Sequence, residues 1–182
     1  MNVIILILAE QTTEHYWRRG MNSKKNSRRI KSLSAVVNEL TLRGFIAIPQ
    51  GRKTPNTDII VYNPQKTKSL NLIVRTYNPE KPSCIVGSKA AHYFGENFFW
   101  ILAGIPLRDS SNNPEYYIIP NRVMAENAPK YHRLWLDTPG RSGHIHKDTN
   151  MRVVLLVPNN SPYYWDVSPY FNNWDLIAET LK

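Results

Sequence analysis

An aspartate at the head of one β-rich run and an arginine near the end of the next are the residues best placed for chemistry. Asp58 leads into IIVY within TDIIVY at 57–62, and Arg75 lies in SLNLIVRTY at 69–77. A carboxylate there can hold a divalent cation or pair with a guanidinium. An arginine diagonal to it competes with metal and cannot accept a proton. The plain expectation is an Asp58–Arg75 ion pair, with no metal held. If Mg²⁺ were held, Asn71 could add a side-chain oxygen and Glu39 a second carboxylate to Asp58. His144, His146 and Asp148 spell H-x-H-x-D, a spacing that can bind zinc. A polar loop is the competing reading and the expected one. His15, His92 and His132 stand without clustered partners in the sequence. Cys84 is the single cysteine, so an internal disulfide is excluded. With no histidine beside it, it reads as a buried thiol rather than a nucleophile. GRKTPN at 51–56 lacks the Gly-Lys-Ser/Thr pattern of a phosphate loop.

Charge supplies the second signal. Lys and Arg total 23 against 14 Asp and Glu, a formal net charge of +9. Such a surplus points to a polyanion or an anionic membrane surface as partner. The run Arg18, Arg19, Lys24, Lys25, Arg28, Arg29 and Lys31 contains no acid. Cations at the start of a helix oppose its macrodipole, so helix stability does not explain them; phosphate contact is the expected role and a solvated or disordered arm the competing reading. Arg52 and Lys53, just before Asp58, extend the same basic surface. The aromatic end, SPYYWD at 161–166 and SPYFNNWD at 168–175, could stack bases. Packing over a sheet is the expected role of these rings.

The elements that must position these groups follow from periodicity. Apolar residues are 42% and charged residues 20% of the 182, which suits a folded chain. No apolar run approaches the length that spans a bilayer. Ile30, Leu33, Val37 and Leu40, with Val36 beside them, form one face of a helix from Arg28 to Arg43. Ser27 is its expected N-cap and Gly44 its stop. A strand at 45–48 and a hairpin of 57–62 with 69–77 follow. With Tyr62 facing Ser69, one hairpin face carries Asp58, Ile60, Asn71, Ile73 and Arg75. The other is wholly apolar (Ile59, Val61, Leu70, Leu72, Val74) and must pack on a helix. Further strands are read at 97–103 and 115–119, and 151–157 reads as either a strand or an extended segment. A short helix is read around KAAHYF, a helix at 121–136 broken at Pro129, and a short helix ending at Leu181. Val3 to Ala9 reads as a strand, within an appendage at 1–20 that precedes a single domain at 21–182.

This pattern resembles the restriction-endonuclease-like, or PD-(D/E)XK, superfamily, in particular its small bacterial and phage members. The resemblance is carried by SRRIKSLSAVVNELTLRGF at 27–45, TPNTDIIV at 54–61, LIVRT at 72–76, ENFFWILAGI at 96–105, EYYIIP at 115–120 and NNWDLI at 172–177. It implies an α/β fold with a mixed central sheet flanked by helices. In that family a helix Glu, a hairpin Asp and an (E/Q)-x-K pair hold Mg²⁺ and position the attacking water. Asp58 matches the Asp, Ile73 stands at the Glu/Gln position, Arg75 stands at the Lys position, and the helix Glu falls near Leu33. The site implied by the resemblance is therefore degenerate, and no cofactor is expected.

The leading expectation is a cytoplasmic nucleic-acid-binding protein, with double-stranded DNA as partner and no membrane. Lys24, Lys25, Arg28, Arg29, Lys31, Arg52 and Lys53 would make the contacts. The resemblance suggests a setting in bacterial or phage defence. One alternative is an active Mg²⁺-dependent DNase using Asp58, Asn71 and Glu39. A second is a protein–protein module or homodimer, to which Val3 to Ala9 could donate a strand.

Overall fold

The run of residues after Ser23 is helical from its first basic pair. Helix α1 spans Lys24–Leu42, so Ser27 is not its N-cap but an exposed residue inside it. Lysine and arginine are strong helix formers and extend the helix beyond the serine. Gly44 ends it at φ +87°, a backbone conformation that favours glycine. The Gly44 N–H reaches Thr41 O at 2.9 Å and the Phe45 N–H reaches Leu40 O at 3.0 Å. The computed structural model describes residues 24–51, 54–81, 83–106, 113–156 and 160–182. The expected strand at Val3 to Ala9 and the basic residues Arg18, Arg19, Arg52 and Lys53 lie outside the described residues.

Strands β1 (Ile46–Pro49), β2 (Ile59–Tyr62) and β3 (Ser69–Tyr77) form an antiparallel meander. Tyr62 pairs with Ser69, the register read from the sequence. The chain then crosses over to β5 (Phe98–Gly104), parallel to β3, and returns antiparallel as β6 (Glu115–Pro120). The described strands make one five-stranded mixed sheet in the order β1-β2-β3-β5-β6. A parallel pair needs a long connection. Here it carries strand β4 (Ser83–Ile85) and a short 3-10 turn, Ser88–Ala91, in place of the longer helix expected around KAAHYF. β4 pairs with β7 (Val153–Leu155) as a separate two-stranded ribbon. Of the run expected at 151–157, Val153–Leu155 forms the strand, and Val157 lies outside the described residues.

Because strand side chains alternate, the sheet sorts its residues into two cores. On one face Ile59, Val61, Leu70, Leu72, Val74, Phe99 and Ile101 pack with Leu33, Val36 and Leu40 of α1. Ile177 and Leu181 of α3 (Asp175–Leu181) join them. On the other face Ile73, Trp100, Leu102 and Ile119 pack with Met124 and Ala128 of α2 (Asn121–Asp137) and with Cys84 and Val154 of the ribbon. The fold is therefore a mixed α/β layer with helices on both faces.

Pro129 does not break α2, which runs through it. A proline costs the helix one backbone hydrogen bond. Burial of Met124 and Ala128 against the sheet outweighs that cost. The aromatic end packs as expected. Trp174 and Trp165 are buried in the first and second cores, and Phe171 bridges to Tyr117 on β6. Asn172 binds Tyr116 through both its backbone and its side chain, so the β6 edge is covered rather than open to pairing. No helix among the described residues is long and apolar enough to cross a membrane.

Candidate functional site

Asp58 is fixed before its side chain makes any contact. Its N–H donates to Leu72 O at 2.8 Å and its C=O accepts from the Gln50 N–H at 2.8 Å. The residue is thus tied to β3 on one side and to the loop after β1 on the other. Its carboxylate, with only 15% of the side chain exposed, receives three groups. Arg29 Nη2 donates to Oδ1 at 2.5 Å, the Val74 N–H donates to Oδ2 at 2.9 Å, and Arg75 Nη1 stands 3.7 Å from Oδ2.

The expected Asp58–Arg75 pair is therefore present but secondary, because Arg29 makes the short contact. Helix geometry explains the difference. Arg29, Ser32, Leu33 and Val36 share the face of α1 turned to the sheet. Leu33 and Val36 enter the core, and the Ser32 hydroxyl meets that of Thr76 at 2.5 Å. Arg29, one turn before Leu33, is left at the level of Asp58. A residue expected to contact nucleic acid is thus also the aspartate's closest partner, with half its side chain still exposed. Arg75 is held from several sides. Nη1 donates to Val74 O at 2.9 Å, Nε donates to Val86 O at 3.4 Å, and the guanidinium lies over the Trp100 ring at 5.2 Å. Burial lowers its pKa from the usual arginine range, and the charge of Asp58 opposes that shift.

These groups line a cleft of about 220 Å³, together with Thr54, Thr57 and the buried Ile73. Lys89 forms the opposite wall and reaches across to Asn56, Nζ to Oδ1 at 3.0 Å. Sequence reasoning misses Lys89. The signal available is the Gly87-Ser88-Lys89 stretch after β4. That stretch lies in the crossover between the parallel strands β3 and β5, which passes over the face of the sheet that carries Ile73 and Arg75.

The ligand set that Mg²⁺ would need does not assemble. Glu39 accepts from Arg43 Nη2 at 2.7 Å. It lies ten residues beyond Arg29 in α1, about 15 Å along the axis. Asn71 turns its Oδ1 to the Thr57 hydroxyl at 3.4 Å and does not line the cleft. Among the described residues no three His, Cys, Asp or Glu side chains are grouped as metal ligands. The H-x-H-x-D motif is divided between other partners. Asp148 is bound by His132 Nε2 at 2.9 Å and Arg152 Nη1 at 3.3 Å, so His132 does have a partner. The His146 ring stacks on Trp135 with centroids 4.0 Å apart. Cys84 is fully buried, and burial pushes its thiol up to about 12, against a smaller opposing effect of Arg75.

Arg28 and Lys31 are exposed on α1. Lys24 and Lys25 open that helix. Of the residues of α1, Arg29 lines the cleft. Among the described residues, the cleft presents Arg29, Arg75 and Lys89 against the single carboxylate of Asp58. Such a lining suits a multiply charged anion better than a dication. Comparison of the chain with family models, with curated proteins and with solved structures finds no match.

Proposed function

We propose that this protein binds nucleic acid, duplex DNA in particular, on a restriction-endonuclease-like sheet whose metal cage has been replaced by cations. The observation that carries the reading is Arg29 on Asp58 at 2.5 Å. Near the expected helix Glu stands Leu33, which lies in the apolar core, and the group that α1 brings to the hairpin aspartate is a guanidinium. Ile73 offers no oxygen at the remaining position. The element order α1, β1, β2, β3, a crossover and β5 supports the fold assignment. The exposed Arg28 and Lys31, on the same helix as Arg29, supply a surface for backbone phosphates, which dominate such affinities.

The test uses the whole chain and a fluorescent duplex. Anisotropy at rising salt should give a linear fall of log affinity with log salt. Arg28→Ala/Lys31→Ala should flatten that slope by up to about 2, roughly one for each phosphate no longer neutralised. Plasmid incubated with Mg²⁺ or Mn²⁺ should remain intact. Absence of duplex binding at low salt would end the binding reading. Metal-dependent nicking abolished by Asp58→Ala would replace it with a working nuclease.

A further inference from the structure

We propose that the cleft is a site for one phosphate group and that Asp58 is its built-in competitor, an internal anion held in the place that a phosphate oxygen takes. The inference rests on the nucleic-acid reading for the source of the phosphate, and on the cleft's geometry for the competition.

Each cation in the cleft is satisfied from within. Arg29 is on Asp58, Lys89 is on Asn56 Oδ1, and Arg75 is on the carbonyls of Val74 and Val86 and within 3.7 Å of Asp58. Only one of these acceptors carries a charge. The two ends of the Arg29–Asp58 pair also differ in freedom. Asp58 is pinned through both backbone groups and through the Val74 N–H on its carboxylate. Arg29 extends from a helix with 54% of its side chain exposed. An incoming phosphate therefore takes the guanidinium, and the carboxylate stays where it is. Binding then exchanges one charge-assisted pair for another while a fixed negative charge remains a few ångströms from the ligand. Both effects weaken the site, and both disappear when Asp58 loses its charge. A metal ligand at this position predicts the reverse, because removing the charge would remove binding.

The discriminating variant is Asp58→Asn, which keeps a carbonyl oxygen for the Val74 N–H. Asp58→Ser serves as a second uncharged variant if the asparagine perturbs folding, which thermal melting will show. Inorganic phosphate and pyrophosphate are titrated calorimetrically into each protein in a phosphate-free buffer, with chelator present and again with Mg²⁺. The expected result is affinity about tenfold tighter for Asp58→Asn than for wild type, with chelator present. Adding Lys89→Ala or Arg29→Ala to that variant should remove the gain. Equal or weaker binding by both uncharged variants overturns the proposal, as does binding that requires Mg²⁺ and vanishes with the charge. The two readings fail separately. Tighter phosphate binding without duplex binding leaves the competitor in place and removes the nucleic acid. Duplex binding that is unchanged or weaker in the uncharged variants, with no gain for phosphate, does the opposite.

Discussion

Asp58 and Cys84 show how little a residue's type says about its chemistry before its neighbours are known. Both are reactive types, and both are quiet here for physical reasons. Asp58 is covered by donors. Cys84 lies fully buried between the ribbon and the sheet. Its pKa of about 12 leaves almost no thiolate near neutral pH. Labelling with a chromogenic disulfide at pH 8 should therefore be at least about a hundredfold slower in the native protein than in urea. Native labelling at the unfolded rate would show that β4 opens readily from the sheet. The Tyr77 hydroxyl, at the other end of β3, donates to Glu115 at 2.5 Å. Burial and that carboxylate both push its pKa upward. Gly104 makes room for the contact, since a Cβ there would stand 2.7 Å from both side chains.

At the scale of elements, the main-sheet strands are legible because their signals are strong and local. The hairpin register follows from alternation, and a slip of one residue would turn every apolar side chain of β2 and β3 to the wrong face. The apolar face of α1 follows from its period. Arg29 as the partner of Asp58 is not legible, because the level at which α1 crosses the hairpin depends on packing between elements. Lys89 is hidden for the same reason, and Ser27 fails as a cap because propensity carries the helix past it. Pro129 is the reverse case, a strong local signal overruled by tertiary burial. The overruling has a cost, since the helix lacks the hydrogen bond that residue 129 would give. Pro129→Ala should raise stability by about 1–3 kcal/mol, seen as a higher urea midpoint at unchanged slope. A lower midpoint would mean that the proline sets a bend that α2 needs in order to reach the ribbon.

For the whole molecule, the acid groups at the surface govern the response to pH. Asp148 is held below the usual carboxylate range by the His132 hydrogen bond first and by Arg152 after it. Glu96 is held down chiefly by Arg122, and Asp166 chiefly by Ser168. A depressed folded-state pKa contributes stability above the unfolded value and loses it as pH falls through the folded one. The melting midpoint should therefore drop as pH falls below about 4, the ordinary carboxylate value. The gap between wild type and Asp148→Asn at pH 7 should close over the same range. A gap that persists at pH 3 would mean that the asparagine acts through packing instead.

The β4–β7 ribbon bears on how the protein comes into being. Its three pairs join Ser83, Cys84 and Ile85 to Leu155, Val154 and Val153, so the wall that carries Lys89 is anchored by residues made late in synthesis. The part of the cleft that carries Lys89 therefore takes its final place only after β7 has left the ribosome.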